Sequence, residues 1–401
     1  MESTSSLHKE DLGLGWEQEE VLDVLDLPQL YQKPSHKQLL DTLSLLSYEP
    51  KSWDATPYLT PSASTPSSLS GANTPARPRT KVRSEGLPQY LTRIVASPLA
   101  WIADDEQKEE IWDAASVRLS ERSGRTGMGA ITRNFRIPWS AVPTNASSTM
   151  QPVITTSSDQ DMSVEISIHE PALTEDNLGL KTWASSYVLA RKWHSLKNHL
   201  PLLPQSSRPT VLELGAGTGL VGMAAATVLQ AEVLLTDLPD IVPNLARNIA
   251  ANADIIRHGG GSARAATLDW TVPDKIVHPL SDPEEHDSPS DALEEEAASQ
   301  AFPLVLAADP IYTPEHPAWL VQTISSHLAR SESARVVIIL PIRDAYLAER
   351  EDLKRRMKEL GLAVVREETE YGFDDWSEAG RDDELAEVEC WLTVWAWDDS
   401  R

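Results

Sequence analysis

The segment VLELGAGTGL at residues 211–220 restricts the possible folds more than any other stretch of this chain. Apolar residues run into three glycines at alternate positions, Gly215, Gly217 and Gly219. Glycine enters left-handed backbone without steric cost and lets the main chain come close to a ligand. The segment therefore reads as a strand breaking into a tight turn and then a helix, Thr218 to Leu229. The same rhythm continues downstream. EVLLTD (232–237), ARAATLDW (263–270), FPLVLAAD (302–309), RVVIILP (335–341), LAVVREETEY (362–371) and VECWLTVWAW (388–397) read as strands. Helical patterns over 241–253, 318–329 and 344–360 separate several of them. Strands alternating with helices of this length predict an α/β fold with a parallel, doubly wound sheet.

Ligands of such sheets bind beyond the carboxyl ends of the strands, and several chemically useful residues fall there. Glu213 heads the glycine turn, where a carboxylate would repel a pyrophosphate but can balance the cationic methionine moiety of S-adenosylmethionine. Asp237, 20 residues after Gly217, ends the next strand, where its carboxylate can accept both ribose hydroxyls of an adenosine ligand; alone it also reads as a helix cap. Asp269 and Trp270 follow the third strand, suited to an adenine amino group and ring. Asp309 and Tyr312, in Asp-Pro-Ile-Tyr, follow the fourth. The G-A-G-T-G spacing departs from the dinucleotide fingerprint, and no P-loop Lys-Ser/Thr follows. NAD is therefore the weakest reading, and ATP or GTP is disfavoured.

The combination ELGAGTGLVG, LLTDLP, LDW and LAADPIY resembles the seven-strand S-adenosylmethionine-dependent protein lysine methyltransferases of methyltransferase family 16. NLGLKTWASSYVLARKW (177–193) is similar to the helix that precedes the first strand in that family. The resemblance implies a class I Rossmann-like seven-stranded methyltransferase sheet over residues 161–401. It implies S-adenosylmethionine as cofactor, with contacts at Trp183, Glu213, Gly215, Ala216, Gly217, Asp237, Leu238, Asp269, Trp270 and Ala308. The family's acidic-x-x-Tyr motif falls on Asp309 and Tyr312, which become the expected catalytic pair. The N-terminal segment ERSGRTGMGAITRNF resembles fungal members that methylate translation elongation factor 2, which implies a protein substrate. Pro310 departs from the pattern: D-P-I-Y also approaches the (D/N)-P-P-(Y/F) motif of methyltransferases acting on nucleic-acid bases or glutamine amides. That reading stays open, as does a cofactor-binding scaffold without activity.

Charge bears on the choice. The chain has 61 acidic and 35 basic residues, a formal net charge of −26, so phosphate backbones and anionic membranes meet a repelling average surface. No direct nucleic-acid or membrane binding is expected. One cysteine, Cys390, excludes an internal disulfide and fits a reducing compartment; it is expected to be packed rather than reactive. With no secretory signal or apolar span, the expectation is a soluble, monomeric cytoplasmic protein, nuclear residence being the alternative. The histidines show no paired metal spacing, so no metal site is expected.

Upstream, residues 1–53 read as a helical segment. Residues 54–86 read as a disordered Pro/Ser/Thr-rich linker, because such a stretch cannot bury enough apolar surface to offset its ordering entropy. Its Thr-Pro steps and the basic residues Arg77, Arg79, Lys81 and Arg83 fit a phosphorylated tether or a nuclear-import patch, but a solvated linker is the simpler reading. Residues 87–160 read as a helical extension ending in a strand-like run. Arg125, Arg133 and Arg136 within it are expected on a solvated connector. The acidic stretch 274–301 reads as a surface insert. His316, near the D-P-I-Y turn, either approaches the active site or, the commoner case and the one expected here, starts a surface helix; Trp391, Trp395 and Trp397 are expected against a helix.

Overall fold

The computed structural model describes residues 21–47, 53, 81–122, 129–139, 163–172, 178–201, 208–278, 295–297, 301–374 and 386–398. They fall into two compact units, Met1–Tyr48 with Tyr58–Arg122, and Glu49–Pro57 with Ser123–Arg401. The first contains β1 (Val21–Leu22), α1 (His36–Leu45), β2 (Lys81–Val82), α2 (Leu87–Ala96) and α3 (Asp105–Ser120). Ser35 caps α1 and Asp104 caps α3 by accepting backbone N–H groups of the first turn, which satisfies donors the helix itself leaves unpaired. Leu39, Leu43, Leu91, Ile94 and Ile111 close its small core. The indoles of Trp101 and Trp112 donate to the carbonyls of Pro34 and Ser97. Of the linker expected over 54–86, only 81–86 lies within the described residues.

The second unit begins with β3 (Ile131–Pro138) and β4 (Ser163–Glu170), an antiparallel pair forming its own two-stranded sheet. Then come α4 (Ala184–Leu196), β5 (Thr210–Leu214), α5 (Leu220–Leu229), β6 (Glu232–Asp237), α6 (Val242–Ala251), α7 (Ala253–Gly259) and β7 (Ser262–Leu268). The remainder is β8 (Lys275–Val277), β9 (Glu295–Ala297), β10 (Leu304–Ala308), α8 (His316–His327), β11 (Arg335–Pro341), α9 (Leu347–Leu360), β12 (Leu362–Asp374) and β13 (Ala386–Trp397). The main sheet has the order β12-β13-β11-β10-β5-β6-β7-β8-β9. Strands β11, β10, β5, β6 and β7 are parallel neighbours. The direction of winding reverses between β5 and β10, the switch point at which open α/β sheets bind ligands.

All seven strands expected from 210 to 397 are present, but the sheet is not wholly parallel. β13 runs antiparallel to both β11 and β12. β13 follows β12 as its direct sheet neighbour, and strands paired in sequence this way need no helical crossover and run in opposite directions. The acidic insert also departs from a plain loop at its ends: β8 and β9 add two antiparallel strands to the edge beside β7. Residues 279–294 lie outside the described residues.

Two apolar layers sandwich the sheet. On one side, Leu189, Trp193, Met223 and Leu245 pack with Val211, Leu235 and Val337. On the other, Leu320, Ile324, Leu353 and Met357 pack with Leu212, Val336 and Ile338. Trp391 and Trp395 belong to the second layer and the buried Cys390 to the first. That split follows from the alternation of strand side chains between faces. Arg133 contradicts the solvated-connector expectation. It is only 4% exposed, its Nε lies 3.7 Å from Oε2 of the fully buried Glu170, and its guanidinium sits over the Trp53 ring. A charge buried at that depth persists only when paired.

The expected helix over 241–253 is divided at Asn252, and the reason is a polar clip. Asn248 accepts from the His169 N–H and donates to the carbonyls of His169 and Thr218. Asn252 accepts from the Ser167 N–H and donates to the Ser167 carbonyl. The two amides mimic a neighbouring strand along the edge of β4 and tie the small sheet to the glycine turn.

Candidate active site

A cleft of about 380 Å³ opens over the carboxyl ends of β5, β6, β7, β10 and β11. The glycine turn forms its floor. Gly215, Gly217 and Gly219 take φ values of 67°, 56° and 88°, a region that side chains with a Cβ enter only at a cost. A Cβ on Gly217 would stand 3.0 Å from the Gly179 carbonyl oxygen, and one on Gly215 would stand 3.2 Å from the Trp270 ring. The turn is locked to β6: the Ala216 N–H donates to the Thr236 carbonyl at 2.9 Å, and the Gly217 N–H to Asp237 Oδ2 at 2.7 Å. Asp237 Oδ1 accepts from the Leu238 N–H. Burial raises the Asp237 pKa to about 6 even though both hydrogen bonds favour the anion. The carboxylate therefore stands at the cleft wall, pre-oriented by main chain, with lone pairs left for further donors.

Trp270 covers the far end of the turn. Asp269 beside it accepts from the Thr271 N–H and hydroxyl through Oδ1, which fixes the bend after β7. On the opposite flank, Trp183 occupies the cap position of α4, and the Thr182 hydroxyl meets that of Thr218 at 2.9 Å.

Asp309 follows β10 in left-handed backbone, φ 52°, a conformation that Asp tolerates better than most residues. Its N–H donates to the Ile339 carbonyl at 2.9 Å, which pins the strained residue to β11. Tyr312, 50% exposed, stands at the mouth. Its phenol is held above the ordinary range by burial first and then by the charges of Asp237 and Asp309, so it is a neutral hydroxyl at physiological pH.

Eleven of the twelve residues named from sequence line this cleft: Trp183, Gly215, Ala216, Gly217, Asp237, Leu238, Asp269, Trp270, Ala308, Asp309 and Tyr312. Glu213 does not, and the expectation that it faces a cationic ligand is corrected. It is 1% exposed, and its carboxyl lies beneath the turn against the start of α5. A Cβ on Gly222 would fall 2.3 Å from its Oε2. Desolvation raises its pKa to about 8, against a lowering hydrogen bond from the Gly222 N–H. Glu213 is therefore a buried prop under the turn, in surroundings that favour its neutral form.

Other lining residues were given no site role by the sequence reading. His316 is 7% exposed rather than superficial. Its ring meets Tyr312 edge-on at 4.1 Å between centroids, with Trp270 and Trp319 at 5.9 and 5.7 Å. The Tyr312 N–H donates to its Nδ1 at 3.3 Å. Burial lowers its pKa, opposed by a hydrogen bond with Pro310 and the charge of Glu315. Tyr312, His316 and Trp319 are spaced i, i+4 and i+7, so they could have been found by projecting a helix from the D-P-I-Y turn. Lys181 and Arg343 also line the cleft. No local motif marks them. Among the described residues, no group of His, Cys, Asp or Glu could hold a metal ion, and no helix is long and apolar enough to cross a membrane.

The strand order, the antiparallel β13 between β11 and β12, and the glycine turn answered by an aspartate at the next strand end together define a Rossmann-like methyltransferase fold. A family model described as "Lysine methyltransferase" matches residues 160–283. The Protein-lysine N-methyltransferase EFM2 of Saccharomyces cerevisiae is 34% identical over 290 residues, covering 68% of this chain and 58% of its own length. The Protein-lysine N-methyltransferase rrg1 of Schizosaccharomyces pombe is 26% identical over 332 residues, covering 82% and 86%. Human Methyltransferase-like protein 22 is 44% identical over 113 residues, 28% of this chain and 26% of that protein. Over residues 160–283 the chain belongs to this lysine methyltransferase family, and it spans 58% of the length of the budding-yeast relative.

Proposed function

We propose that this chain is an S-adenosylmethionine-dependent protein-lysine N-methyltransferase, and that its acceptor is a translation elongation factor, elongation factor 2 being favoured. One observation carries the reaction class. The cradle of Gly217 and Asp237, suited to an adenosine, opens into the same cleft as Asp309 and Tyr312, which suit an amine. The acceptor rests on the names of the relatives, which specify protein lysine, and on the resemblance of the segment around Ser123 to Phe135 to fungal enzymes acting on elongation factor 2.

The residues fit the cofactor. Gly215 and Gly217 leave room that a Cβ would fill, Asp237 offers acceptors to ribose hydroxyls, and Trp270 with Asp269 suits an adenine. Leu238 and Ala308 supply apolar walls, and Trp183 borders the opposite flank. Bound S-adenosylmethionine supplies an electrophilic methyl group on a sulfonium. The chain's own work is alignment and exclusion of water. A protonated lysine has no lone pair, so its ammonium must release a proton before it can attack. Asp309 accepts a hydrogen bond from the amine and fixes its direction. A carboxylate stabilises the ammonium form and so raises the amine pKa, which makes Asp309 a positioning group rather than a strong base. Tyr312, neutral, gives the amine a second hydrogen-bonding partner and walls the mouth. His316 and Trp319 back that wall.

The test is mass spectrometry of elongation factor 2, and of a cell lysate with and without nuclease, after incubation with the purified chain and labelled S-adenosylmethionine. Nuclease-resistant label on a lysine is expected. Label removed by nuclease, or found on a glutamine amide, would select the alternative suggested by D-P-I-Y.

A further inference from the structure

The charges of the cleft are sorted along the sheet. From one side of the carboxyl edge to the other, the strand order is β7, β6, β5, β10, β11. Asp269 follows β7, Asp237 ends β6, Asp309 follows β10 and Arg343 follows β11. An adenosine held by Asp237 and Trp270 would lie over β6 and β7, and the remainder of the ligand would then extend across β5 toward β10 and β11. Arg343 stands at that end. Its guanidinium lies over the Trp183 ring, 5.7 Å from its centroid. Lys181 also lines the cleft, but its Nζ is committed to the Pro171 carbonyl at 2.6 Å. In a chain of net charge −26, and beside strand ends that carry Asp237, Asp269 and Asp309, a ring-stacked guanidinium is a specific arrangement. It disfavours a cationic ligand group there and favours an anionic one.

We propose that Arg343, held on the Trp183 ring, is a carboxylate-binding corner of this cleft. A planar guanidinium with five donors engages a carboxylate through two parallel hydrogen bonds, and stacking on an indole restricts its orientation beforehand. The topology favours the α-carboxylate at the amino-acid end of the cofactor. An acidic side chain beside the acceptor lysine is the other source of the same chemistry. The inference deepens the proposed function and rests on it for the identity of the ligand.

Titration calorimetry on the full chain separates these cases, with S-adenosylhomocysteine and its decarboxylated analogue as probes. The proteins are the wild type, Arg343→Gln and Arg343→Lys. Arg343 is exposed, so the variants should keep the wild-type melting temperature, which is recorded alongside. If the corner holds the cofactor, wild type prefers the carboxylate-bearing probe by about tenfold or more. Arg343→Gln erases that preference by weakening only that probe, and Arg343→Lys falls between, because an ammonium lacks the fork. If the corner holds a substrate carboxylate, both probes bind all three proteins alike. The KM for the protein acceptor then rises about tenfold in Arg343→Gln, with kcat little changed. Unchanged probe preference together with unchanged KM overturns the inference. Failure of wild type to bind either probe overturns the proposed function instead.

Discussion

The two ends of the cleft are built in different ways. The end proposed for adenosine, over β5, β6 and β7, is made chiefly of main chain: positive-φ glycines, N–H groups donating to Asp237, and a strand register that sets Thr236 against Leu214. The end proposed for the acceptor, over β10 and β11, is made of side chains brought together from separate segments. Asp309 sits in strained backbone, His316 and Trp319 rise from α8, and Arg343 arrives from the loop after β11. A site made from main chain is held by the same hydrogen bonds that hold the sheet, so damage to it is also damage to the fold. A site made from side chains can be altered while the fold stays intact.

The strongest way to test that contrast is Gly219→Val. The position has φ 88°, and a Cβ there would stand 2.5 Å from Leu245 Cδ1 in the core. Forcing a β-branched residue into it should cost about 3–5 kcal/mol and abolish binding of S-adenosylhomocysteine together with much of the thermal stability. A variant that melts like wild type and still binds the ligand would show that the turn is not a rigid cradle. At the other end, Asp309→Asn keeps the shape and the tolerance for left-handed backbone but removes the charge. Turnover should fall about 10²–10³-fold, while calorimetry finds the affinity for S-adenosylhomocysteine within about threefold and the melting temperature close to wild type. Equal losses of turnover and affinity would mean that the acceptor end has been misplaced.

A smaller effect is expected at Asp237. Asp237→Ala removes the acceptors for ribose and should weaken S-adenosylhomocysteine about 10- to 100-fold. In the wild type, the same affinity should decline as pH falls through about 6, because the protonated carboxyl is the weaker acceptor. An affinity that is flat between pH 5 and 7.5 would remove Asp237 from the ribose position.

The last test concerns Glu213 and is read in the pH dependence of stability rather than in binding or turnover. Its folded-state pKa of about 8 lies above the ordinary carboxylate value, so the folded state holds a proton that the unfolded chain has lost. The corresponding stability is complete below about pH 4.5 and disappears as pH rises toward 8, with a slope of at most ~1.4 kcal/mol per pH unit. Glu213→Gln, which cannot ionise, should flatten the dependence of melting temperature on pH across that window. Identical pH profiles for variant and wild type would show that the carboxyl is already charged under the turn.

The glycine-turn end of the cleft could be read from the sequence because its information is local. A glycine turn needs glycines, a carboxylate at the next strand end needs one aspartate, and both fall within 27 consecutive residues, 211–237. The strands were equally legible, since a strand buried on both faces is a continuous apolar run, as in FPLVLAAD and RVVIILP. Asp309 and Tyr312 were visible as a compact motif. Glu213 was seen but misassigned: its position in the motif is local, whereas the direction of its side chain depends on the space left by Gly222 nine residues later. Arg133 was misread for a related reason, because its partner Glu170 lies 37 residues away and only the pairing of β3 with β4 brings them together.

What this sequence determined alone was the order and type of elements and the glycine turn, since φ preference and apolar periodicity act over a few residues. Tertiary structure decided the antiparallel placement of β13, the burial of His316 in the cleft wall, and the meeting of Arg343 with Trp183, which are 160 residues apart. Those outcomes depend on which surfaces are desolvated together, and burial is a property of the packed chain rather than of any short stretch of it.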